Sequence, residues 1–275
     1  MLFRFSFQPN KIPELKAYLC ENSIPIQVDG NVYSFEIQKN DSHWQNISDI
    51  LRNSTPRCIS DTPPAQDDLS DTEWLRMWCQ TRFGYPQPEA GFQYKSITYI
   101  RERICPECGN GSTQQDAFRI KKLPAWGRKH FAELNWVYDE LFLSDAAKKI
   151  LQAEQITGIT FDAVKNKTGT ETLSGINQLR VTYVLKPGII EEHSDIRSVT
   201  VCERCLTKKY LLYPGGKMTM HREIFEGAPD IVKTAEVFGS GRCAVRHTLI
   251  RRKVYELLIE NQLGRGLVFE PIMLR

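Results

Sequence analysis

The chain has 275 residues, of which 41% are hydrophobic and 25% charged, as expected for a folded protein with a substantial core. Its 36 basic and 33 acidic residues leave a net charge of only +3, which argues against nucleic-acid binding through overall charge. No stretch of the sequence approaches the ~20 apolar residues of a membrane helix. The first residues alternate like a strand, unlike a signal peptide. We therefore expect a cytoplasmic protein, whose eight cysteines are metal ligands or buried thiols.

Residues 1–60 carry strand and helix patterns in the order β-α-β-β-α. Phe3, Phe5 and Phe7 fall on one face of a strand, and Asp29-Gly30 favours a tight hairpin turn. These patterns predict a small N-terminal α+β domain, in which helices cover one face of a sheet.

Residues 61–95 are predicted to form a linker. Their first part is rich in proline and aspartate, which makes it stiff and well solvated. The second part is aromatic, and its rings either pack against a neighbouring domain or form a binding face. These rings are Trp74, Trp78, Phe83, Tyr85, Phe92 and Tyr94.

Two cysteine pairs share the spacing C-x-x-C. The first, Cys105-Pro106-Glu107-Cys108-Gly109, is typical of a zinc knuckle, in which both sulfurs face one ion and the glycine permits the turn. The second is Cys202-Glu203-Arg204-Cys205. Redox-active or merely buried thiols are the alternative. The duplicated spacing predicts one structural Zn²⁺, with no position left for catalysis, held by Cys105, Cys108, Cys202 and Cys205.

The sequence after each cysteine pair repeats weakly. The repeated pattern is an amphipathic helix, a glycine that ends it and a short strand. Residues 96–275 are therefore predicted to form one zinc-ribbon domain with a duplicated helix-turn-strand module, and residues 109–201 to fold as an insertion between the knuckles. Chance similarity between two common units is the alternative. One constant offset in the numbering aligns Phe142 with Ile250, Leu151 with Ile259, Gly158 with Gly266 and Phe161 with Phe269.

In these features the chain resembles the double-CXXCG motif family of bacterial proteins. The similarity covers residues 100–275 and rests on both cysteine pairs and on the terminal segments 254–258 and 266–272. Leu206 stands where the family motif has its second glycine. Some members are regarded as immunity proteins, so the resemblance implies a protein that neutralises a toxin made by the same cell.

Other candidate sites have structural interpretations. The glycine-rich segment 239–244 imitates a dinucleotide fingerprint but lacks the βαβ context, so we interpret it as a turn between strands. The remaining cysteines have no C-x-x-C partner and are expected to be core or surface thiols, and no histidine has a catalytic partner at a recognisable spacing. The residues concerned are Cys20, Cys58, Cys79, Cys243, His130, His221 and His247.

The sequence contains no recognisable catalytic set, and it therefore predicts a non-enzymatic zinc-binding protein that acts on a protein partner such as a toxin. The alternative is a nucleic-acid-associated regulator that uses the zinc ribbon as a scaffold. Its phosphate contacts would come from a cluster of basic residues. The other interpretation of this cluster is a solvated face. Its members are Arg246, Arg251, Arg252 and Lys253.

Overall fold

The structure is a computed structural model that describes residues 2–38, 40–52, 57–59, 69, 72–213 and 216–275. Most of the Pro/Asp-rich part of the predicted linker, at 61–68, 70 and 71, lies outside these ranges. The described chain is mixed α+β, as predicted. Its helices are α1 (Pro13–Glu21), α2 (Trp44–Arg52), α3 (Tyr94–Thr98), α4 (Asp145–Ala153) and α5 (Arg252–Glu260). Its strands are β1 (Leu2–Phe7), β2 (Gln27–Asp29), β3 (Val32–Gln38), β4 (Arg57–Ile59), β5 (Trp74–Cys79), β6 (Arg119–Ile120), β7 (Phe131–Ala132), β8 (Leu141–Leu143), β9 (Ile159–Asn166), β10 (Thr172–Val181), β11 (Ile196–Val201), β12 (Lys208–Leu212), β13 (Met218–Met220), β14 (Ile231–Lys233), β15 (Val237–Phe238), β16 (Thr248–Arg251) and β17 (Leu267–Leu274).

The N-terminal sheet has the strand order β2-β3-β1-β4. The predicted succession β-α-β-β-α is confirmed as β1-α1-β2-β3-α2, and β4 follows it. Phe5 and Phe35 of the sheet pack with Leu15 of α1 and Ile47 of α2, and each is at most 2% exposed. This apolar contact places the helices against the sheet.

Two further sheets, each of five strands, share one plan. The first sheet has the order β6-β9-β10-β8-β7 and the second has the order β13-β17-β5-β16-β14. The central strand of each is antiparallel to both neighbours, and these neighbours come from a strand-helix-strand unit, β8-α4-β9 or β16-α5-β17. The predicted repeat is thus confirmed in the structure with its predicted offset, since β9 begins at Ile159 and β17 at Leu267.

The two repeats are intertwined through their central strands. The first sheet lies entirely between the cysteine pairs, as predicted for an insertion, whereas the second sheet takes its central strand β5 from before the first pair. Beyond β5, Phe83 N donates to Glu133 O (3.0 Å), and beyond β10, Leu185 N donates to Lys233 O (2.9 Å). Each central strand therefore continues to the edge of the other repeat, where it makes an equivalent hydrogen bond.

The aromatic segment differs from the predicted linker, because residues 74–79 form β5 at the centre of the second sheet. Trp74, Leu75 and Cys79 of this strand are all 0% exposed. The linker prediction was wrong for residues 74–79 because β5 follows a run of prolines and aspartates and its partner strands are remote in the sequence. Met77, for example, pairs with Thr248 and Phe269, which both lie near the other end of the chain.

One apolar core joins the two repeats. The buried residues of α4, Ala147 and Leu151, belong to the same cluster as Val254 and Leu258 of α5. The helix α4 is further fixed by its N-cap Ser144, whose hydroxyl accepts a hydrogen bond from the Ala147 amide. Because burial of apolar surface is the main stabilising term, the shared core makes the stability of each repeat depend on the other. Within the described residues, no helix has the length and apolar character needed to cross a membrane.

Glycines precede the equivalent strands β9 and β17. Gly158 and Gly266 have φ values of +85° and +86°, which an L side chain rarely adopts. The amides of Thr182 and Gln80 donate to their carbonyls, each at 2.9 Å. The repeated glycine seen in the sequence is therefore required by the backbone at the same point of each repeat.

Candidate metal centre

Each cysteine pair lies in a hairpin. The second pair lies between the antiparallel strands β11 and β12. The first lies between Tyr99 and Gln114, which form an antiparallel bridge. In both hairpins the amide of the first cysteine donates to a carbonyl just beyond the second cysteine, at 2.8 Å for Cys105 and 3.0 Å for Cys202. The two knuckles, residues 105–109 and 202–206, thus have equivalent backbones.

The four predicted ligands come together. Their sulfurs all lie within 4.8 Å of one another, with 3.8 Å between Cys105 Sγ and Cys202 Sγ and 3.5 Å between Cys108 Sγ and Cys205 Sγ. Four sulfurs bound tetrahedrally to one metal at ~2.3 Å are about 3.8 Å apart. These separations are far too long for disulfides, whose sulfurs are about 2.05 Å apart. The four cysteines can therefore hold a single metal ion.

The electrostatics of the sulfur cluster also favour a cation. Hydrogen bonds with the Thr207 side chain and backbone lower the pKa of Cys205 to about 6. Burial, together with the neighbouring thiols, raises the pKa of Cys108 to about 12. The Cys205 thiol thus ionises readily, whereas the Cys108 thiol resists because it is buried. A bound cation deprotonates its thiol ligands.

The two knuckles differ at their fifth residue. Gly109 N donates to Cys105 O and Leu206 N donates to Cys202 O, both at 2.8 Å, so the two residues are equivalent. Both have positive φ, +79° for Gly109 and +57° for Leu206. A side chain at Gly109 would meet Arg242 O at 2.3 Å, whereas Leu206 is 75% exposed. The second knuckle therefore keeps the glycine conformation at the expense of backbone strain.

Sequence reasoning missed a polar pair that joins the knuckles. Asn110 Nδ2 donates to Thr207 Oγ1 at 2.8 Å, and Thr207 Oγ1 is also 3.2 Å from Cys205 Sγ. Asn110 and Thr207 have the same offset in the sequence as Cys105 and Cys202. That shared offset was the available signal, although neither residue type is a usual metal ligand.

The other cysteines lie outside the cluster. Cys20 is exposed, Cys243 is half-buried, and the side chain of Cys58 lies outside the described residues. Cys79 is buried, and its sulfur contacts Phe131 O of one repeat and Gly266 O of the other, both at 3.4 Å. Burial raises the pKa of the Cys79 thiol to about 11, which makes it unreactive.

The histidines occupy structural positions. His130 Nδ1 is hydrogen-bonded to the Ser144 hydroxyl at 2.9 Å, at the start of α4. The ring of His247 lies 3.8 Å from that of Phe238, and burial lowers the pKa of His247 well below its usual value. His221 is exposed and its amide donates to Gly188 O. The segment 239–244 forms the predicted turn, between β15 and β16.

Most of the basic cluster is engaged inside the protein. The Arg251 guanidinium lies over the Trp74 ring at 4.7 Å. Arg252 Nη1 is 3.4 Å from Glu256 Oε1, and Lys253 Nζ is 2.6 Å from a buried Asp230 carboxylate. These contacts leave the cluster few free charges for phosphates.

No protein-family model matches this chain, and no curated protein matches it either. The resemblance to the double-CXXCG family therefore stays a prediction from the motifs.

Proposed function

We propose that this chain is a non-catalytic zinc protein that acts by binding a protein partner, and specifically an immunity protein that neutralises a bacterial toxin in the cytoplasm. The observation that supports this best is the four-cysteine cluster. Four thiolates fill a tetrahedral shell and leave no position for water or a substrate. A zinc ion in such a shell stabilises the fold, because no position is open for a catalytic water.

Zinc is the metal that this ligand set favours. Tetrahedral four-sulfur sites take zinc or iron, and the C-x-x-C knuckle is typical of structural zinc. Zinc has no redox chemistry, which agrees with a purely structural role. A structural zinc contributes on the order of 10–16 kcal/mol in small zinc domains.

The choice of a protein partner has two supports. The basic cluster proposed for phosphates is largely paired with carboxylates and an aromatic ring. The toxin-neutralising role comes from the resemblance of the two knuckles and the terminal segment to the double-CXXCG family.

The test first asks whether a gene for a secreted toxin adjoins the gene for this chain, and then co-expresses that toxin with the affinity-tagged full chain in its native host. We expect a stoichiometric complex and protection of the cells from growth arrest. Arg265→Glu, at an exposed position, should protect as well as the natural chain. Absence of any complex with that toxin, together with tight binding to an oligonucleotide that weakens steeply with salt, would contradict the proposal.

A further inference from the structure

Two cavities adjoin between the repeats. The polar cavity has a volume of about 190 Å³ and is lined by residues of β5 and of the segments 133–141 and 245–248. The aromatic cavity, of about 270 Å³, reaches the first knuckle at Ile104 and Gly109. Tyr138, Asp139 and Val245 line both cavities. Together they form one cleft, called here the inter-repeat cleft, with the first knuckle as part of its wall.

Basic side chains outnumber carboxylates in this cleft. Arg76 and Arg82 of the polar cavity are already paired, with Glu270 at 2.8 Å and with Glu133 at 3.7 Å. The cations left to face Asp139 are Lys95, Arg242 and Arg246. Among the described residues, Lys95 and Arg242 form no ion pair. Burial and then the charge of Arg242 lower the pKa of Lys95, so the two cations lie close enough to repel. The cleft therefore attracts an anionic ligand.

The outer end of the aromatic cavity has the composition of a protein interface. Phe92 is 50% exposed and Tyr138 is 45% exposed. The Trp136 ring is 4.5 Å from that of Phe92 and 4.5 Å from that of Tyr85. Aromatic residues and arginine are the types that dominate binding energy at protein interfaces.

Backbone strain is concentrated in the same contact. Phe92 has a φ of +57° and Trp136 a φ of +70°, the left-handed region that aromatic residues avoid. Such conformations cost of order 1–3 kcal/mol each and cluster at functional sites. Here both residues with this conformation carry rings that contact each other at the mouth of the cleft.

A buried donor also points to a ligand. Trp78 lines the polar cavity, and its indole Nε1 is buried with no acceptor among the described residues. An unsatisfied buried donor costs about 1–3 kcal/mol. A carboxylate or carbonyl oxygen from an occupant of the cavity would satisfy it.

We propose that the inter-repeat cleft is the docking site for an acidic segment of the protein partner, with an apolar or aromatic side chain of that segment seated against Phe92, Trp136 and Tyr138. Carboxylates of the segment bind the exposed Arg242 and Arg246, since guanidinium and carboxylate match as bidentate pairs. This inference rests on the proposed function, because it assumes that the partner is a protein.

The ring arrangement favours a protein segment over a single-stranded nucleic acid. Stacking of bases needs open aromatic faces along a uniformly basic groove. Tyr138 already has the Arg82 guanidinium over its ring at 5.3 Å, and Tyr94 stacks on Trp136 at 6.3 Å.

The experiment uses a phage-displayed library of random dodecapeptides, selected on the zinc-loaded full chain. The best peptide is then synthesised, and its Kd is measured for the natural chain and three variants. Arg242→Glu reverses an exposed charge of the cleft, and Phe92→Gly removes an exposed ring while relieving its strained φ. Arg265→Glu is the matched control, since it reverses an exposed charge outside the cleft.

We expect selected peptides to be acidic with at least one aromatic or large apolar residue. Arg242→Glu and Phe92→Gly should each weaken binding about tenfold or more, as for interface hot spots, while Arg265→Glu leaves the Kd unchanged. Phe92→Gly should not lower the melting temperature, so a loss of binding there is not a loss of fold. Selected peptides without net negative charge, a Kd unaffected by both cleft variants, or displacement of the peptide by a dT12 oligonucleotide would each overturn the proposal. If the toxin complex forms and both cleft variants still form it, the proposed function stands and this surface is wrong.

Discussion

The two repeats share their architecture but differ in how locally they are built. The first sheet forms entirely from strands between residues 119 and 181, whereas the second joins residues 74–79 to strands that begin at residue 218. A sheet closed over a longer chain carries a larger loop-closure entropy. A metal that links the two knuckles shortens the effective chain length between β5 and β13. The reason is that β5 ends at Cys79, not far before Cys105, and β13 begins at Met218, soon after Cys202. The comparison indicates that the second sheet depends more strongly on the metal than the first.

The largest effect is expected from breaking the metal site. Cys202→Ser removes one of the four ligands. Loss of a structural metal costs on the order of 10 kcal/mol, which exceeds the free energy of unfolding of many domains. We expect the second sheet to lose amide-exchange protection before the first. Cys20→Ser, at an exposed thiol outside the cluster, should change the stability by less than about 0.5 kcal/mol. Equal protection of both sheets in Cys202→Ser would refute the dependence described above.

The next test compares the equivalent glycines. A Cβ at Gly158 would meet the backbone oxygen of Ile231 at 2.1 Å, whereas one at Gly266 would meet the side-chain hydroxyl of Thr81 at 2.5 Å. Both alanine variants carry the left-handed penalty of about 1–2 kcal/mol. Because a backbone atom cannot move aside as a side chain can, Gly158→Ala should lower the free energy of unfolding clearly more, by about 3 kcal/mol or above. Urea unfolding measures both, and a larger loss for Gly266→Ala would show that the turns are not equivalent.

Glu133 and Lys233 form a third comparison. Each lies at the edge of one repeat, and its carbonyl accepts a hydrogen bond from the chain just beyond the central strand of the other repeat. Burial raises the pKa of Glu133 to about 7 from 4.5. Between these values the folded chain binds a proton that the unfolded chain has released, so stability falls as pH rises. The fall is at most about 3 kcal/mol. Glu133→Gln should therefore lose less stability than the natural chain between pH 5 and pH 8.

Lys233 provides the contrast. Burial acts to lower the pKa of Lys233, but Glu140 and Asp139 outweigh it and raise that pKa, so Lys233 stays charged from pH 5 to pH 8. Lys233→Met should therefore lower the free energy of unfolding at both pH values, and more at pH 8, because the pKa of the buried Asp139 rises further once its cation is removed. If Glu133→Gln follows the pH dependence of the natural chain, the raised pKa of Glu133 is wrong.

The smallest expected effect concerns the knuckle glycine. Leu206→Gly should stabilise the protein by up to about 1 kcal/mol, because glycine adopts positive φ without strain. Gly109→Ala should do the reverse, since its Cβ would meet Arg242 O at 2.3 Å. Thermal unfolding of the zinc-loaded variants measures both, and destabilisation by Leu206→Gly would mean that the leucine side chain makes a contact that outweighs its strain.

The sequence predicted the features that local patterns encode. The spacing of Cys105 and Cys108, the N-terminal order of helices and strands, and the repeated glycine before β9 and β17 are all local signals, and the structure has each of them. The central role of β5 could not be predicted, because its partners β16 and β17 lie near the other end of the chain and its neighbours in sequence are typical of a linker. The inter-repeat cleft depends on that pairing and was missed for the same reason.

The most direct test of the account is the metal content and ligand set of the full chain purified without added chelator. Elemental analysis with X-ray absorption should find one zinc per chain, bound by four sulfurs at about 2.3 Å. Such a result means that the single ion takes two thiolates from each knuckle. Absence of metal, iron in place of zinc, or a shell that contains nitrogen or oxygen would contradict a closed zinc site shared by the two knuckles.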